Sequence, residues 1–194
     1  VNILKVLFLV VTGGAMLLGV ELSEHVHSTR WKVKTLADSF VIDSPAISTT
    51  IEDQLALPSP RVDEDVPRLS SERTLYTLTA QLVQVKKEFD GDYHLVLEDP
   101  RTKVRMVAEI PDTTSLAPQA IRTEYEDARE TIASLLGSKP GLFAVRPKTP
   151  LLIQVTGLGF FDEPHMITPT GMAQNGREIH PVLSVKPCNP ISDR

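Results

Sequence analysis

Tyr76-Thr77-Leu78-Thr79-Ala80-Gln81-Leu82-Val83-Gln84-Val85 is the stretch on which the fold turns. Tyr76, Leu78, Ala80 and Leu82 alternate with Thr77, Thr79 and Gln81, the period of two expected of a strand with one apolar face. At Val83 and Val85 the apolar positions change phase. A phase change inside one long strand is the signature of a β-bulge, in which an extra residue bends the strand. Strands bent in this way close sheets into barrels.

The flanking sequence extends the pattern. Asp90-Gly91 is a tight-turn signal, after which Tyr93, Leu95 and Leu97 alternate with Asp92, His94 and Glu98. Glu98-Asp99-Pro100-Arg101 turns the chain, and Val104, Met106, Ala108 and Ile110 then alternate with Arg105, Val107 and Glu109. Next, Ile121, Tyr125, Ala128, Ile132 and Leu135 recur at helical spacing, with Pro118 suited to the first turn and Gly137 to the stop. Leu151, Ile153 and Val155 open a fourth strand, whose phase shifts at Gly157 to Leu158 and Phe160. Ile179, Leu183 and Val185 give a fifth, with Glu178, His180 and Val182 on its other face. Pro181 limits that strand to an edge or to irregular pairing. Three strands, a helix and two strands predict a mainly β (α+β) domain: a five-stranded OB-like barrel with one helix between strands three and four. The competing architecture is an open α+β sheet with a covering helix.

The barrel is expected over residues 72–187, followed by a tail at 188–194. Residues 21–71 are polar and Pro-rich, with Pro45, Pro58, Pro60, Pro67 and the charge run Asp63-Glu64-Asp65. They read mostly as loop or linker, with one helical turn near 50–55 and an edge strand where Trp31, Val33 and Thr35 alternate. Residues 1–20 carry a single charge, Lys5, and then an apolar run. That is the composition of a secretory signal peptide or an uncleaved N-terminal anchor. The expectation is an exported protein, periplasmic or extracellular, that meets a membrane only through residues 1–20. The single Cys188 cannot form an internal disulfide.

Twenty basic against 25 acidic residues give a net charge of −5, the wrong sign for a general nucleic-acid coat. The polar information gathers in Asp90-Gly91-Asp92-Tyr93-His94, in Phe160-Phe161-Asp162-Glu163-Pro164-His165, and in Asn175-Gly176-Arg177-Glu178-Ile179-His180-Pro181-Val182. Alternation puts Asp92 and His94 on one polar face, with Arg105 and Glu109 on the neighbouring strand. Glu178 and His180 share a face on the last strand. Asp162 and His165 lie in the loop before it. A His beside a carboxylate can bind a divalent metal or place a general base next to an orienting acid. The binding candidates are therefore Asp92, His94, Asp162, His165, Glu178 and His180. The metal candidates are His94, His165, Glu178 and His180, and the catalytic candidates are Asp92, His94, Arg105 and Glu109.

No His-Glu-x-x-His, Cys pair, nucleophile elbow, phosphate loop or dinucleotide fingerprint is present. No cofactor is predicted, and a divalent metal is the one candidate. The leading expectation is a module binding a small saccharide-like or peptide ligand on strands two and three and the loop between strands four and five. The alternatives are a metal-assisted hydrolase or phosphodiesterase, and a structural envelope-associated protein. The plainer reading leaves His94 and His180 capping strand edges and the carboxylates solvated.

Trp31-Lys32-Val33-Lys34-Thr35, Asp92-Tyr93-His94-Leu95-Val96, Ala108-Glu109-Ile110-Pro111, Thr156-Gly157-Leu158-Gly159-Phe160-Phe161-Asp162 and the run from Asn175 to Val182 together resemble an uncharacterised family of exported bacterial proteins. The resemblance spans roughly residues 31–185 and is most specific in its last stretch. It implies export and supplies no activity. The chain departs from the family pattern in having no Cys within Ile110-Pro111-Asp112-Thr113-Thr114, and in carrying Met166-Ile167-Thr168-Pro169-Thr170-Gly171 after the loop His. Asp90-Gly91-Asp92, with Arg105 opening the next strand, is also similar to the start of staphylococcal-nuclease-like barrels. The acidic groups that follow, Glu109 and Asp112, are out of step with that family.

Overall fold

The computed structural model describes residues 28–162 and 171–188. The expected signal peptide or anchor at 1–20 lies outside the described residues, as does His165. The bent strand is β2 (Leu75–Lys87). Its register against β3 (Tyr93–Glu98) slips between Leu82 and Gln84, which leaves Val83 as the bulge. The bulge lets β2 serve two neighbours. Residues before it pair with β5 (Leu151–Phe161) and residues after it with β3. β3 runs antiparallel to β4 (Arg105–Ile110), β4 parallel to β6 (Arg177–Pro187), and β6 antiparallel to β5. The β2–β5 pairing closes the five-stranded barrel of an OB-like fold. A short strand, β1 (Ile47–Thr49), adds in parallel to the start of β2.

The barrel is filled by the faces that alternation assigned to it. Leu78, Ala80, Leu82, Val85, Leu95, Leu97, Met106, Ala108, Ile110, Ile153, Val155 and Ile179 all belong to one buried cluster. The predicted helix, Gln119–Leu136, buries Tyr125, Ala128 and Ile132 against that cluster. Each large apolar side chain buried there contributes about 1.5–3 kcal/mol. The helix stops at Gly137, whose φ of 75° is a left-handed C-cap that glycine adopts without Cβ strain.

Pro181 does impose irregular pairing. β5 and β6 shift register at Gly157 and again before Gly159, and Pro181 has no partner on β5. A Cβ on Gly157 would press on the Pro181 carbonyl and stand 2.7 Å from Ile179, so a side chain has no room there. The irregularity changes the phase of β6. Val182 belongs to the core with Ile179, not to the polar face with Glu178 and His180 as expected.

The N-terminal segment differs from its linker reading. Trp31, Val33 and Thr35 do not form an edge strand. They lie in or next to the helix Thr29–Lys34, here α1. The Ser28 side chain accepts the Trp31 N–H at 3.0 Å, and Lys32 and Lys34 fill the last turn, where cations favour a helix C-terminus. The expected turn near 50–55 is a second short helix, α2 (Ile51–Leu55), opened by a Thr50/Asp53 capping box. The 18-residue helix before β5 is therefore α3. Leu36 and Ile51 reach the main core, and Arg68 clamps Asp38 at 2.8 Å. Residues 28–71 thus pack on the barrel. No helix among the described residues is long and apolar enough to cross a membrane.

Candidate functional site

Register builds the site. His94 of β3 stands opposite Glu109 of β4, and Val107 and Ala108 of β4 stand beside Glu178 and Ile179 of β6. Alternation therefore lines up His94, Glu109, Glu178 and His180 across three strands, on the face turned away from Leu95 and Ala108. Asp92 joins them from just before β3. The face points out of the barrel, yet Asp92, His94, Glu109, Glu178 and His180 are all buried. Lys34 of α1 reaches over it, and Phe160 of β5 flanks it with its ring centroid 5.6 Å from that of His180.

Glu109 is the hub. Its Oε1 accepts a hydrogen bond from His94 Nδ1 at 2.8 Å, and its Oε2 lies 3.2 Å from His180 Nδ1 and 3.3 Å from Lys34 Nζ. Asp92 Oδ2 lies 3.5 Å from both His180 Nε2 and Lys34 Nζ. Asp92 Oδ1 is fixed by the Asp112 N–H at 2.7 Å. Glu178 Oε2 stands 3.7 Å from His180 Nδ1, and Asp90 Oδ2 stands 3.4 Å from Lys34 Nζ. Glu88 lies 3.6 Å from His94 Nδ1 and pairs with Lys86 at 2.7 Å.

The charges tune one another. Burial pushes the Glu109 carboxyl up, but Lys34, His180 and His94 outweigh it and hold it well below the usual carboxylate range. Burial pulls the Lys34 ammonium down, but Glu109, Asp92, Asp90 and Asp162 hold it well above its ordinary value. Burial and Lys34 disfavour a charged His180, yet Asp92, Glu109 and Glu178 raise it to about 10. Burial and the neighbouring Asp162 raise Glu178 to about 7, with His180 opposing. At neutral pH the face holds Lys34 and His180 as cations beside an anionic Glu109, with Glu178 near its midpoint.

Most of the sequence candidates converge: Asp92, His94, Glu109, Glu178 and His180 form one cluster, and Asp162 at the end of β5 is close enough for its charge to act on Lys34 and Glu178. Arg105 does not join them. It pairs with Glu98 at 2.7 Å, four residues back along β4 from Glu109, and its side chain is half exposed. Sequence reasoning missed Lys34, because the segment read as a strand. The available signal was Arg30 and Lys34 four apart, which places both on one helix face.

A second polar network holds this assembly in place. Arg30 of α1 donates to both oxygens of the buried Glu72, at 2.9 and 2.6 Å, and to the Phe161 carbonyl at 2.6 Å. Asn175 donates to the Gln54 and Leu57 carbonyls at 3.0 and 3.1 Å. The fully buried Arg177 donates to Gln54 Oε1 at 2.9 Å and to the Ser71 carbonyl at 3.1 Å. The run from Asn175 to Val182 thus divides its labour: Asn175 and Arg177 anchor the chain on α2, and Glu178 and His180 furnish the site.

No protein-family model and no curated protein matches the chain. Solved structures with some similarity include Entamoeba histolytica asparaginyl-tRNA synthetase in complex with asparaginyl-adenylate, with 14% identity and a TM-score of 0.39 over 76% of this chain and 25% of that one. A second structure of that enzyme matches at 12% identity and a TM-score of 0.38, with the same coverage of both chains. The chain spans about a quarter of the length of either.

Proposed function

We propose that the chain is an exported binding module that takes a small ligand on the polar face of β3, β4 and β6, next to the loop between β5 and β6. One observation carries the reading: carboxylates from the β2–β3 turn (Glu88, Asp90, Asp92), from β4 (Glu109), from just after β5 (Asp162) and from β6 (Glu178) gather around one ammonium and two imidazoles. Carboxylates in excess favour a ligand with positive charge or many hydrogen-bond donors, such as a peptide amine or a saccharide, and repel a phosphodiester. Access is from the rim formed by Asp90, Glu88 and Lys34, whose side chains are 35%, 28% and 21% exposed. Phosphodiester hydrolysis has little to stand on, because Arg105 sits about 13 Å along the strand from Glu109 at roughly 3.3 Å per residue. Export rests on the apolar run at residues 6–20.

The test is calorimetric titration of peptides with free amines and of oligosaccharides, in chelator, against wild type and Glu109→Gln. A ligand that binds wild type and loses about tenfold or more with Glu109→Gln supports the reading, since hydrogen bonds to charged groups contribute about 1.5–3 kcal/mol. Binding that is indifferent to Glu109 places the ligand elsewhere and refutes it.

A further inference from the structure

His180 stands out within the cluster. It is fully buried, and neither ring nitrogen makes a hydrogen bond among the described residues. Its carboxylate neighbours approach at 3.2 Å (Glu109, at Nδ1), 3.5 Å (Asp92, at Nε2) and 3.7 Å (Glu178, at Nδ1), and none of them makes a hydrogen bond to the ring. An imidazole among carboxylates normally donates at about 2.7–2.9 Å. The Nδ1–Glu109 gap and the Nε2–Asp92 gap each suit a metal held on that one ring nitrogen, the other carboxylate then closing from within 4.8 Å. Donor atoms about 2.0–2.2 Å from a tetrahedral metal are separated from one another by about 3.3–3.6 Å.

Lys34 repeats the theme. Its ammonium stands 3.3, 3.4 and 3.5 Å from Glu109, Asp90 and Asp92, a loose seat for a group that prefers about 2.8 Å to an anionic oxygen. Asp92 Oδ2 therefore faces His180 Nε2, Glu109 Oε2 faces His180 Nδ1, and both oxygens face the tethered ammonium. Donor atoms of Asp92, Glu109 and His180 lie within 4.8 Å of one another, and Glu88, His94 and Glu109 form a second such group that shares Glu109. Imidazole nitrogen mixed with carboxylate oxygen suits first-row transition ions. All-oxygen cages suit calcium and magnesium.

We infer that Asp92, Glu109 and His180 form a divalent transition-metal site, and that Lys34 is the tethered cation that competes with the metal for the two carboxylates. The metal also takes the place of the proton on His180. The inference rests on the reading above that this polar face is where the ligand binds, and it adds a metal ion to that face. α1 then acts as a strap. Its Arg30 stays fixed to Glu72 while Lys34, one turn on, yields the carboxylates when the dication arrives.

The test uses tag-free full chain, stripped with chelator and titrated with Co²⁺, read by its visible absorption, and then with Zn²⁺ in competition. Wild type is expected to bind Co²⁺ with the intense bands of a low-coordinate nitrogen–oxygen site. Lys34→Met is expected to bind about 5- to 150-fold tighter, the usual range for coupling between two ligands. Glu109→Gln and Asp92→Asn should each weaken binding roughly tenfold or more, while Glu98→Gln, on the same strand pair but outside the cluster, should bind like wild type. Circular dichroism and thermal unfolding confirm that each variant is folded, and either carboxylate variant suffices if the other is not. No Co²⁺ bands in wild type and Lys34→Met, or binding unaffected by both carboxylate variants, overturns the site. Unchanged or weaker binding in Lys34→Met overturns the competition. If the Co²⁺ bands are absent, a peptide or saccharide that still binds in chelator in a Glu109-dependent way leaves the ligand face standing while the metal site falls.

Discussion

Glu72→Gln is the sharpest perturbation of the framework that positions this face. Glu72 is fully buried and its two oxygens serve four donors. Oε1 accepts from Arg30 Nη2 at 2.6 Å and from the Phe161 N–H at 2.9 Å. Oε2 accepts from Arg30 Nη1 at 2.9 Å and from the Leu69 N–H at 2.8 Å. In the glutamine one oxygen becomes an NH₂ group. Whichever way the amide is turned, that NH₂ faces a guanidinium nitrogen and a backbone N–H, and neither can accept from it. Arg30 is 4% exposed and loses its counter-ion as well. Removing one partner of a buried pair costs about 3–5 kcal/mol. For a chain of this size that lowers Tm by roughly 6–20 °C, at about 2–4 °C per kcal/mol. Calorimetry on wild type, Glu72→Gln, Arg30→Met and the double variant checks this. The double variant should lose less than the sum of the singles, because no charge is then left unpaired in the Arg30 position. A Tm loss under about 3 °C in Glu72→Gln, or full additivity in the cycle, would show that the pair does not hold α1 to the barrel.

In Gly159→Ala the new Cβ falls on the Arg177 guanidinium, which is itself fixed to Gln54 and Ser71, so the substitution should cost about 1–3 kcal/mol in denaturant unfolding. Tyr125→Phe deletes the buried hydrogen bond to the Thr35 carbonyl at 3.0 Å and should cost about 1 kcal/mol by thermal unfolding, with faster hydrogen exchange just after α1. Glu98, hydrogen-bonded to Arg105 and paired with Lys103, is lowered below its ordinary 4.5. A carboxyl depressed in the folded state stabilises above its unfolded value and loses that contribution as pH falls through the folded one. The stability gap between wild type and Glu98→Gln should therefore be full at neutral pH and shrink steadily below pH 4.5 in urea titrations. A gap that widens in acid would reverse the assigned sign.

The barrel was legible because its signals are local. The phase flip at Val83, the shift at Gly157 and the helical spacing from Ile121 to Leu135 are each decided by a few neighbouring residues, and each appears where the alternation put it. The polar face was legible in part. Alternation assigned His94 and Glu178 to faces without saying which strands adjoin. The antiparallel β3–β4 register and the parallel β4–β6 contact bring those residues to Glu109, and neither pairing is written in any one strand. Trp31-Lys32-Val33-Lys34-Thr35 misled because alternate apolar residues over five positions suit a strand as well as one turn and a half of helix. The Ser28 cap and the buried contacts of Arg30 settle it for helix. The phase of Val182 was misjudged because the irregular pairing at Pro181 breaks the alternation on which it relied.

Burial is what turns this face from a solvated strand surface into a site. On an open OB-like barrel the outward residues of β3, β4 and β6 would meet water, where an ion pair at 3.3 Å contributes little. Here α1 lies across them, and the helix stays there because Arg30 is bound to Glu72 and to the end of β5. The same turn of helix then lowers Lys34 among Asp90, Asp92 and Glu109. A buried cluster with this many carboxylates cannot be stable with all of them charged and unpaired. It must carry protons, the tethered ammonium or an added cation, and burial of Glu178 and the carboxylates around His180 both favour proton uptake beside Lys34. The N-terminal segment, read from composition mostly as loop or linker, therefore covers the site and supplies its built-in cation. A ligand of this face would have to displace a proton or Lys34, and its binding would in that way be coupled to α1.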